Sequence, residues 1–272
     1  MKKFSKLFVL LSVLVVLPLT LLAGCGKSQK TVKLGIMGND DRIWNPVKKT
    51  LKKEGINLQL VSFSDYSQPN GALQNHEIDA NAFQHQAFLD NWNKAHKSDI
   101  VSIGNTILTP IGLYSKKISN IKDLKKGSTI AIPNDPTNEG RALQLLQEYG
   151  LLKVKNLSGF PTPKDVYDNK LNLKFTPLDA AQTARSLDDV TAAVVNTNYA
   201  LDAKLNPKKA LIKEEVNNES KPYINIIATN KSQKNDKDLK KVVEAYQTEA
   251  TKKNIEKTYD GAFIPAWNIK LK

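Results

Sequence analysis

The chain has 272 residues, enough for one or two domains with buried cores, and hydrophobic residues make up 40% of it. Its formal net charge of +13 would suit binding to nucleic acid or to an anionic membrane surface. Because the chain carries no nucleic-acid-binding motif and begins with features of an export signal, no nucleic-acid partner is expected. Because Cys25 is the only cysteine, no disulfide can form within the chain.

Residues 1–24 have the features of a signal peptide. Three lysines precede an apolar run from residue 7 to residue 23, which is short for a membrane span. The run ends in Leu22-Ala23-Gly24-Cys25, which resembles the lipobox of bacterial lipoproteins and implies acylation of Cys25 after cleavage. Residues 25–30 would then form a polar tether. We expect a lipid anchor on the outer face of the bacterial cell membrane, with a plain secretory signal as the alternative.

Strand and helix patterns alternate in the next part of the chain. Alternating apolar residues predict strands at 32–37, 57–63 and 78–83. Helices are predicted from an N-cap at Asn45 to a stop at Gly55, from Pro69, and over residues 86–95. A strand–helix pair recurs about every 20 to 25 residues, which predicts a parallel sheet with crossover helices.

The second part of the chain repeats this organisation. The apolar run 107–114 could cross to a second lobe, and strands are predicted at 129–132, 171–175 and 192–195. Helices are predicted from about residue 138 to Gly150, at 180–187 and at 199–205. Strand 223–228 would return the chain to the first lobe, and one or two helices follow at 237–259. Two α/β units joined by two crossings predict a ligand cleft between lobes.

The strand–helix unit at 129–150 carries the strongest binding signal. Pro133 and Pro136 keep the backbone out of helix until about Asn138, so a helix begins just beyond the carboxyl end of a strand. Free N–H groups at this helix start, together with Arg141 in its first turn, predict a carboxylate site in which the guanidinium binds bidentately. The alternative is an ordinary capped helix with a solvated arginine.

Four blocks of sequence together resemble one family. They are FQHQ at 83–86, IPNDPTNEGRAL at 132–143, NTNYA at 196–200 and PYIN at 222–225. In this order they resemble the NlpA/MetQ family, the substrate-binding lipoproteins of methionine ABC importers, over residues 32–267. The resemblance implies a two-lobed, type II-like periplasmic-binding-protein fold with two interlobe crossings. Lobe one would comprise residues 31–112 and 228–272, and lobe two residues 113–227.

The resemblance also implies partners. Methionine, as the L-isomer and also the D-isomer, would be captured by lobe closure and delivered to a membrane permease driven by a cytoplasmic ATPase pair. No cofactor is expected. Another small amino acid or a methionine-containing dipeptide stays open as the cargo, because a generic amino-acid grip with an apolar slot discriminates weakly.

Three of the implied site residues would bind the main-chain atoms of the ligand. Arg141 would bind the carboxylate. Asn196 is the first polar residue after the buried strand 192–195, and Asn225 lies in an apolar strand, where an unpaired amide is costly. The ordinary interpretations are a turn residue for Asn196 and an edge-strand residue for Asn225.

The other three implied site residues are aromatic or imidazole side chains. Tyr66 and Phe83 would line an apolar slot, since a methionine thioether favours ring contacts. His85 would lie near the ligand. A core aromatic is the ordinary interpretation of Phe83, and a capping or surface residue that of His85. His85 with His76 and His96 does not match zinc-ligand spacing, so no metal site is predicted.

Other functions find less support in the sequence. A surface hydrolase would need a nucleophile elbow, a reactive cysteine or a metal cluster, and the sequence offers no such motif. A structural or adhesive surface protein would not need the regular strand–helix alternation. Trp44 and Trp267 are either core residues or part of a surface that contacts the permease, and the sequence does not decide between these roles.

Overall fold

The computed structural model describes residues 30–271. The predicted signal segment, Cys25 and residues 25–29 of the predicted tether lie outside this range. Lys30 was predicted to end the tether and instead begins the first strand. None of the helices within residues 30–271 has the length and apolarity needed to cross a bilayer.

Thirteen strands and eight α-helices make up the described part of the chain. The strands are β1 (Lys30–Met37), β2 (Ile56–Phe63), β3 (Ala80–Asn81), β4 (Ile100–Leu108), β5 (Gly112–Tyr114), β6 (Thr129–Pro133), β7 (Lys153–Val154), β8 (Val166–Asp168), β9 (Lys174–Leu178), β10 (Ala192–Val195), β11 (Ile212–Lys213), β12 (Ile224–Asn230) and β13 (Ile264–Pro265). The helices are α1 (Asn45–Lys53), α2 (Pro69–Gln74), α3 (Gln86–His96), α4 (Pro136–Glu148), α5 (Ala180–Thr183), α6 (Thr197–Asp202), α7 (Lys237–Tyr246) and α8 (Glu249–Tyr259).

Two sheets organise these elements into two lobes. The sheet of lobe one has the strand order β13-β4-β12-β3-β1-β2, and that of lobe two has the order β11-β5-β10-β6-β9. Strands β7 and β8 form a separate pair. The prediction of parallel sheets is wrong in part. Strands β1, β2 and β3 are parallel, as are β6, β9 and β10, but β4, β5, β11, β12 and β13 pair antiparallel with their neighbours. Both sheets are therefore mixed.

Each sheet is covered by helices on both faces. Successive side chains of a strand point to opposite faces, and here both faces carry apolar residues that must be buried. In lobe one, Val32, Leu34 and Ile36 of β1 face a core shared with α1, α7 and α8, while α2 and α3 cover the opposite face. In lobe two, Ile130 and Ile132 of β6 pack against α4, and the intervening alanine faces α5 and α6. Burial on this scale contributes about 1.5 to 3 kcal/mol for each large aliphatic side chain.

The chain passes between the lobes twice. It leaves the first sheet after Leu108 and enters the second at Gly112, and it returns between Lys213 and Ile224. The predicted lobe boundaries stay a prediction, and we propose 109–111 and 214–223 as the connecting segments. Because β1, β3, β6 and β10 all end at the interface between the lobes, the residues that follow these strands meet there.

Several local predictions are wrong. The strand predicted at 78–83 covers only Ala80–Asn81, and the helix predicted from about residue 138 begins at Pro136. Asn45 is not an N-cap, because a 3₁₀ turn at Arg42–Trp44 runs directly into α1 and places Asn45 inside the helix. The strand predicted at 171–175 begins only at Lys174. The Asn169 side chain closes a turn by bonding to both the N–H and the carbonyl of Leu173, at 2.8 and 3.0 Å, and Asn172 has a positive φ.

Both tryptophans in question contribute to lobe one. Trp44 is buried, with its ring centroid 4.9 Å from that of Tyr246. Trp267 is partly buried and packs edge-on against the other side of the same tyrosine, at 5.6 Å. The core interpretation therefore applies to Trp44, and Trp267 packs at the edge of the same core.

Candidate ligand-binding site

A cavity of about 100 Å³ lies between the two lobes. All six predicted site residues line it: Tyr66, Phe83, His85, Arg141, Asn196 and Asn225. One water molecule needs at least about 10 to 15 Å³ of such volume, so the cavity is larger than a single-water site. Within residues 30–271, no cluster of three or more His, Cys, Asp or Glu side chains could hold a metal ion.

Arg141 is buried beside the cavity, but most of its donors are already in use. Its Nε and Nη2 donate to the two carboxylate oxygens of Glu214 at 2.8 and 2.5 Å, and Nη2 also donates to the Thr109 carbonyl at 3.1 Å. The guanidinium lies over the Tyr223 ring, 4.3 Å from its centroid. Only Nη1 has no hydrogen-bond partner among residues 30–271. The predicted bidentate fork therefore binds Glu214, and Nη1 is the guanidinium nitrogen left to bind a ligand.

The start of α4 offers fewer free N–H groups for an anion than predicted. Asp135 is the N-cap, and its carboxylate accepts from the Asn138 N–H at 3.0 Å and from the Thr137 hydroxyl at 2.8 Å. Pro136, at the first helical position, has no N–H to give. The protein's own carboxylate thus takes the place expected for the ligand.

Asp135 instead orients a chain of amides that ends in the cavity. Its oxygens can only accept, so the Asn138 amide must turn its NH₂ group toward them, at 2.9 and 3.0 Å. The Asn138 oxygen then accepts from Asn196 Nδ2 at 2.8 Å. This leaves Asn196 Oδ1 buried and without a partner among the described residues. The chain of bonds therefore presents an acceptor to the cavity.

His85 presents a donor to the same cavity. It is the N-cap of α3, and its Nδ1 accepts from the Phe88 N–H at 3.0 Å. Since a neutral imidazole carries its proton on the other nitrogen, Nε2 is an N–H donor, and it is buried without a partner within residues 30–271. Burial, and then the charge of Arg141, lowers the pKa of His85 to about 3, so the ring is neutral at pH 7.

Aromatic rings from lobe one form one wall of the cavity. The Tyr66 and Phe83 centroids are 5.9 Å apart, and Phe88 meets both rings edge-on at 6.1 and 5.6 Å. These are favourable geometries for aromatic pairs. The cluster gives the cavity an apolar surface in addition to its polar groups.

Asn225 lines the cavity at an irregularity in the pairing of β12 with β4. The pairing of β12 with β4 shifts between Ile224 and Ile226, and Asn225 instead forms an isolated antiparallel bridge with His85. Such bulges redirect a side chain relative to the regular alternation. The predicted placement of Asn225 in an apolar strand holds, and Asn225 lies beside the cavity at this bulge.

A buried cluster of amides fixes the segment that carries Phe83 and His85. Gln84, between them, donates to the Asn70 and Asn81 side chains at 2.7 and 3.0 Å and accepts from Asn70 at 2.8 Å. All three amides are almost fully buried. Satisfied buried networks of this kind are rigid, so the two neighbouring side chains are held in place.

Direct contacts between the lobes close the cleft around the cavity. The Tyr66 hydroxyl donates to Asn198 Oδ1 at 2.5 Å, and the Tyr199 hydroxyl donates to the Ser64 carbonyl at 3.3 Å. The rings of the two tyrosines lie 4.9 Å apart. The Nδ2 atom of Asn198, a residue that lines the cavity, is buried and has no partner in the described part of the chain.

Comparison with known proteins identifies the family of this two-lobed chain. The NlpA lipoprotein family matches residues 32–267. The chain belongs to the NlpA lipoprotein family. The D-methionine-binding lipoprotein MetQ of Salmonella typhi is 42% identical over 254 residues, which cover 90% of this chain and 93% of that protein.

Solved structures agree with this membership. A nutrient-binding protein from Burkholderia cenocepacia bound to methionine is 44% identical, with a TM-score of 0.82, and the match covers 86% of this chain and 99% of that one. The substrate-binding protein of a methionine transporter from Streptococcus pneumoniae is 42% identical, with a TM-score of 0.84, and the match covers 87% and 96%. The predicted family and two-lobed α/β fold are confirmed, and all three relatives are named as binding proteins.

Sequence reasoning missed three residues of the site in this NlpA family lipoprotein. Phe88 lies one helical turn after His85, a spacing that could have revealed it. Asn138 was noted only as a helix start, although it orients Asn196. Glu214 lies 73 residues from Arg141, and no local pattern could have linked the two.

Proposed function

We propose that this protein is the substrate-binding lipoprotein of an ABC importer and that it captures methionine between its lobes. The observation that carries the proposal is the arrangement of unpartnered polar atoms around the interlobe cavity. Arg141 Nη1 and the Nε2–H of His85 can donate to the two oxygens of a ligand carboxylate, while Asn196 Oδ1 can accept from its ammonium group. This set fits the zwitterionic part of an amino acid.

The aromatic wall supports methionine as the side chain of that amino acid. A thioether is polarizable and makes favourable contacts with ring edges and faces, and Tyr66, Phe83 and Phe88 provide such rings. The same ligand is favoured by the three relatives described above, whose names mention methionine and which are 42 to 44% identical to this chain.

Delivery requires a partner and an anchor, and both are part of the proposal. The lobes close on methionine, and the closed form docks on a membrane permease that a cytoplasmic ATPase pair drives. The protein acts by binding and not as an enzyme. Acylated Cys25 holds it at the outer face of the bacterial cell membrane, and a Cys25→Ala variant should therefore appear in the soluble fraction.

Calorimetry on the purified mature protein tests the proposal. Copurified ligand is first removed by unfolding and refolding, and the protein is then titrated with L-methionine, D-methionine and other amino acids. We expect saturable heat with methionine, together with a rise in melting temperature. No response to any amino acid would contradict the proposal. Mass spectrometry of the ligand released on unfolding distinguishes methionine from another cargo.

A further inference from the structure

Glu214 is joined to the ligand site through Arg141 alone. Its side chain is 11% exposed, and both its oxygens bind the guanidinium. Its Oε2 also accepts from the Ile111 N–H at 3.3 Å, and its own N–H donates to the Ile111 carbonyl at 3.0 Å. Glu214 is not among the residues that line the cavity. Glu214 therefore acts on a ligand through the position of Arg141 and through its own charge, and not by direct contact.

Both segments that connect the lobes hold this ion pair. Thr109 and Ile111 belong to the first connecting segment, whereas Glu214 and Tyr223 lie at the two ends of the second. Arg141 itself comes from α4 of lobe two. The guanidinium is thus fixed from several sides, and its Nη1 end is the part left for a ligand.

We propose that Glu214 is a positioning residue that determines the charge specificity of the ligand site. It holds Arg141 with Nη1 toward the cavity, and its negative charge balances the guanidinium. The site then favours a zwitterion, whose ammonium would otherwise be repelled by an unbalanced buried cation. Without Glu214, the same cavity would favour a simple carboxylate anion. This inference rests on the proposed binding of an amino acid.

The test compares two ligands that differ only in the ammonium group, L-methionine and 4-(methylsulfanyl)butanoate. Both are titrated calorimetrically into the full-length mature wild type and the Glu214→Gln variant, which keeps the shape of the side chain and removes its charge. We expect L-methionine to bind the variant at least about tenfold more weakly, and the ratio of the two dissociation constants to shift at least about tenfold toward the anion. A purely structural role would weaken both ligands equally.

Two further variants complete the test. Glu215→Gln removes a charge at the neighbouring exposed position and should leave both affinities unchanged. Glu214→Asp keeps the charge on a shorter side chain, so it should preserve the ligand ratio while binding both ligands several-fold more weakly. If Glu214→Gln does not fold, a wild type that binds the anion more tightly than L-methionine, or wild-type affinity in Glu214→Asp, overturns the inference.

Each other outcome overturns the inference. An unchanged ligand ratio in Glu214→Gln, or wild-type affinity in Glu214→Asp, would show that Glu214 neither sets the charge balance nor positions Arg141. Those results leave the proposed function standing, provided that the wild type binds L-methionine. A wild type that binds neither ligand would overturn the proposed function and this inference together.

Discussion

Lowering the pH should destabilise the folded protein through His85. Burial and the charge of Arg141 lower the pKa of this histidine to about 3 in the folded chain, against an ordinary value of about 6.5 in the unfolded chain. Between these two values the unfolded chain binds a proton that the folded chain does not, so the free energy of unfolding decreases as the pH falls. The loss through this group is about 1 kcal/mol from pH 7.5 to 6, and about 2 kcal/mol from pH 7.5 to 5.

Urea unfolding at pH 7.5, 6 and 5 measures this loss in the wild type and in His85→Asn. Asparagine is a good N-cap, and its side-chain oxygen can accept from the Phe88 N–H in place of the imidazole. All other titrating groups are common to the two proteins. We therefore expect the wild type to lose about 2 kcal/mol more than the variant between pH 7.5 and 5. Equal losses would show that His85 is not held neutral by burial, and the reasoning would be refuted.

Three substitutions test the site and the fold. Arg141→Ala should weaken methionine binding by about 2 to 5 kcal/mol, or at least about 30-fold by calorimetry, because the buried carboxylate loses its charged partner; Arg185→Ala, at an exposed position, is the control and should bind normally. Tyr66→Phe removes the hydrogen bond to Asn198 across the closed cleft, so the dissociation constant should rise by about fivefold with little change in melting temperature. Gly104→Ala would place a Cβ 2.5 Å from a valine methyl of α7, so chemical denaturation should show a loss of about 1 to 3 kcal/mol, and unchanged stability would contradict this packing.

Local patterns in the sequence predict the elements that local forces determine. The apolar run Ala192–Val195 forms β10 at the predicted bounds, and the amphipathic pattern at 237–259 becomes the two helices α7 and α8. The antiparallel strand β4, by contrast, was not predicted, and its last two residues fell in the apolar run 107–114, which was interpreted as a crossing between lobes. Whether a neighbouring strand runs parallel or antiparallel depends on the path of the connecting segments, which a single strand's pattern does not record.

The candidate site shows the same division. The family resemblance implied six site residues, and all six line one cavity. The donors that each side chain keeps free were not predictable, because partners distant in sequence use up the others. Glu214 occupies the fork of Arg141, and Asp135 caps the start of α4, so the carboxylate site that we propose consists of Nη1 and the His85 ring.

The unpartnered atoms also explain why closure and ligand binding should occur together. His85 Nε2, Asn196 Oδ1 and Asn198 Nδ2 are buried without partners among residues 30–271. Each buried polar group that stays unpaired costs about 1 to 3 kcal/mol. A zwitterion can form hydrogen bonds to at least the first two of these atoms and to Arg141. Because His85 belongs to lobe one and Asn196 and Arg141 to lobe two, all of these bonds form together only in the closed cleft. A ligand shifts the equilibrium between the open and closed forms only by the difference in its affinity for them. Several kcal/mol of binding free energy that only the closed form offers are enough to make that form dominant when the ligand is bound.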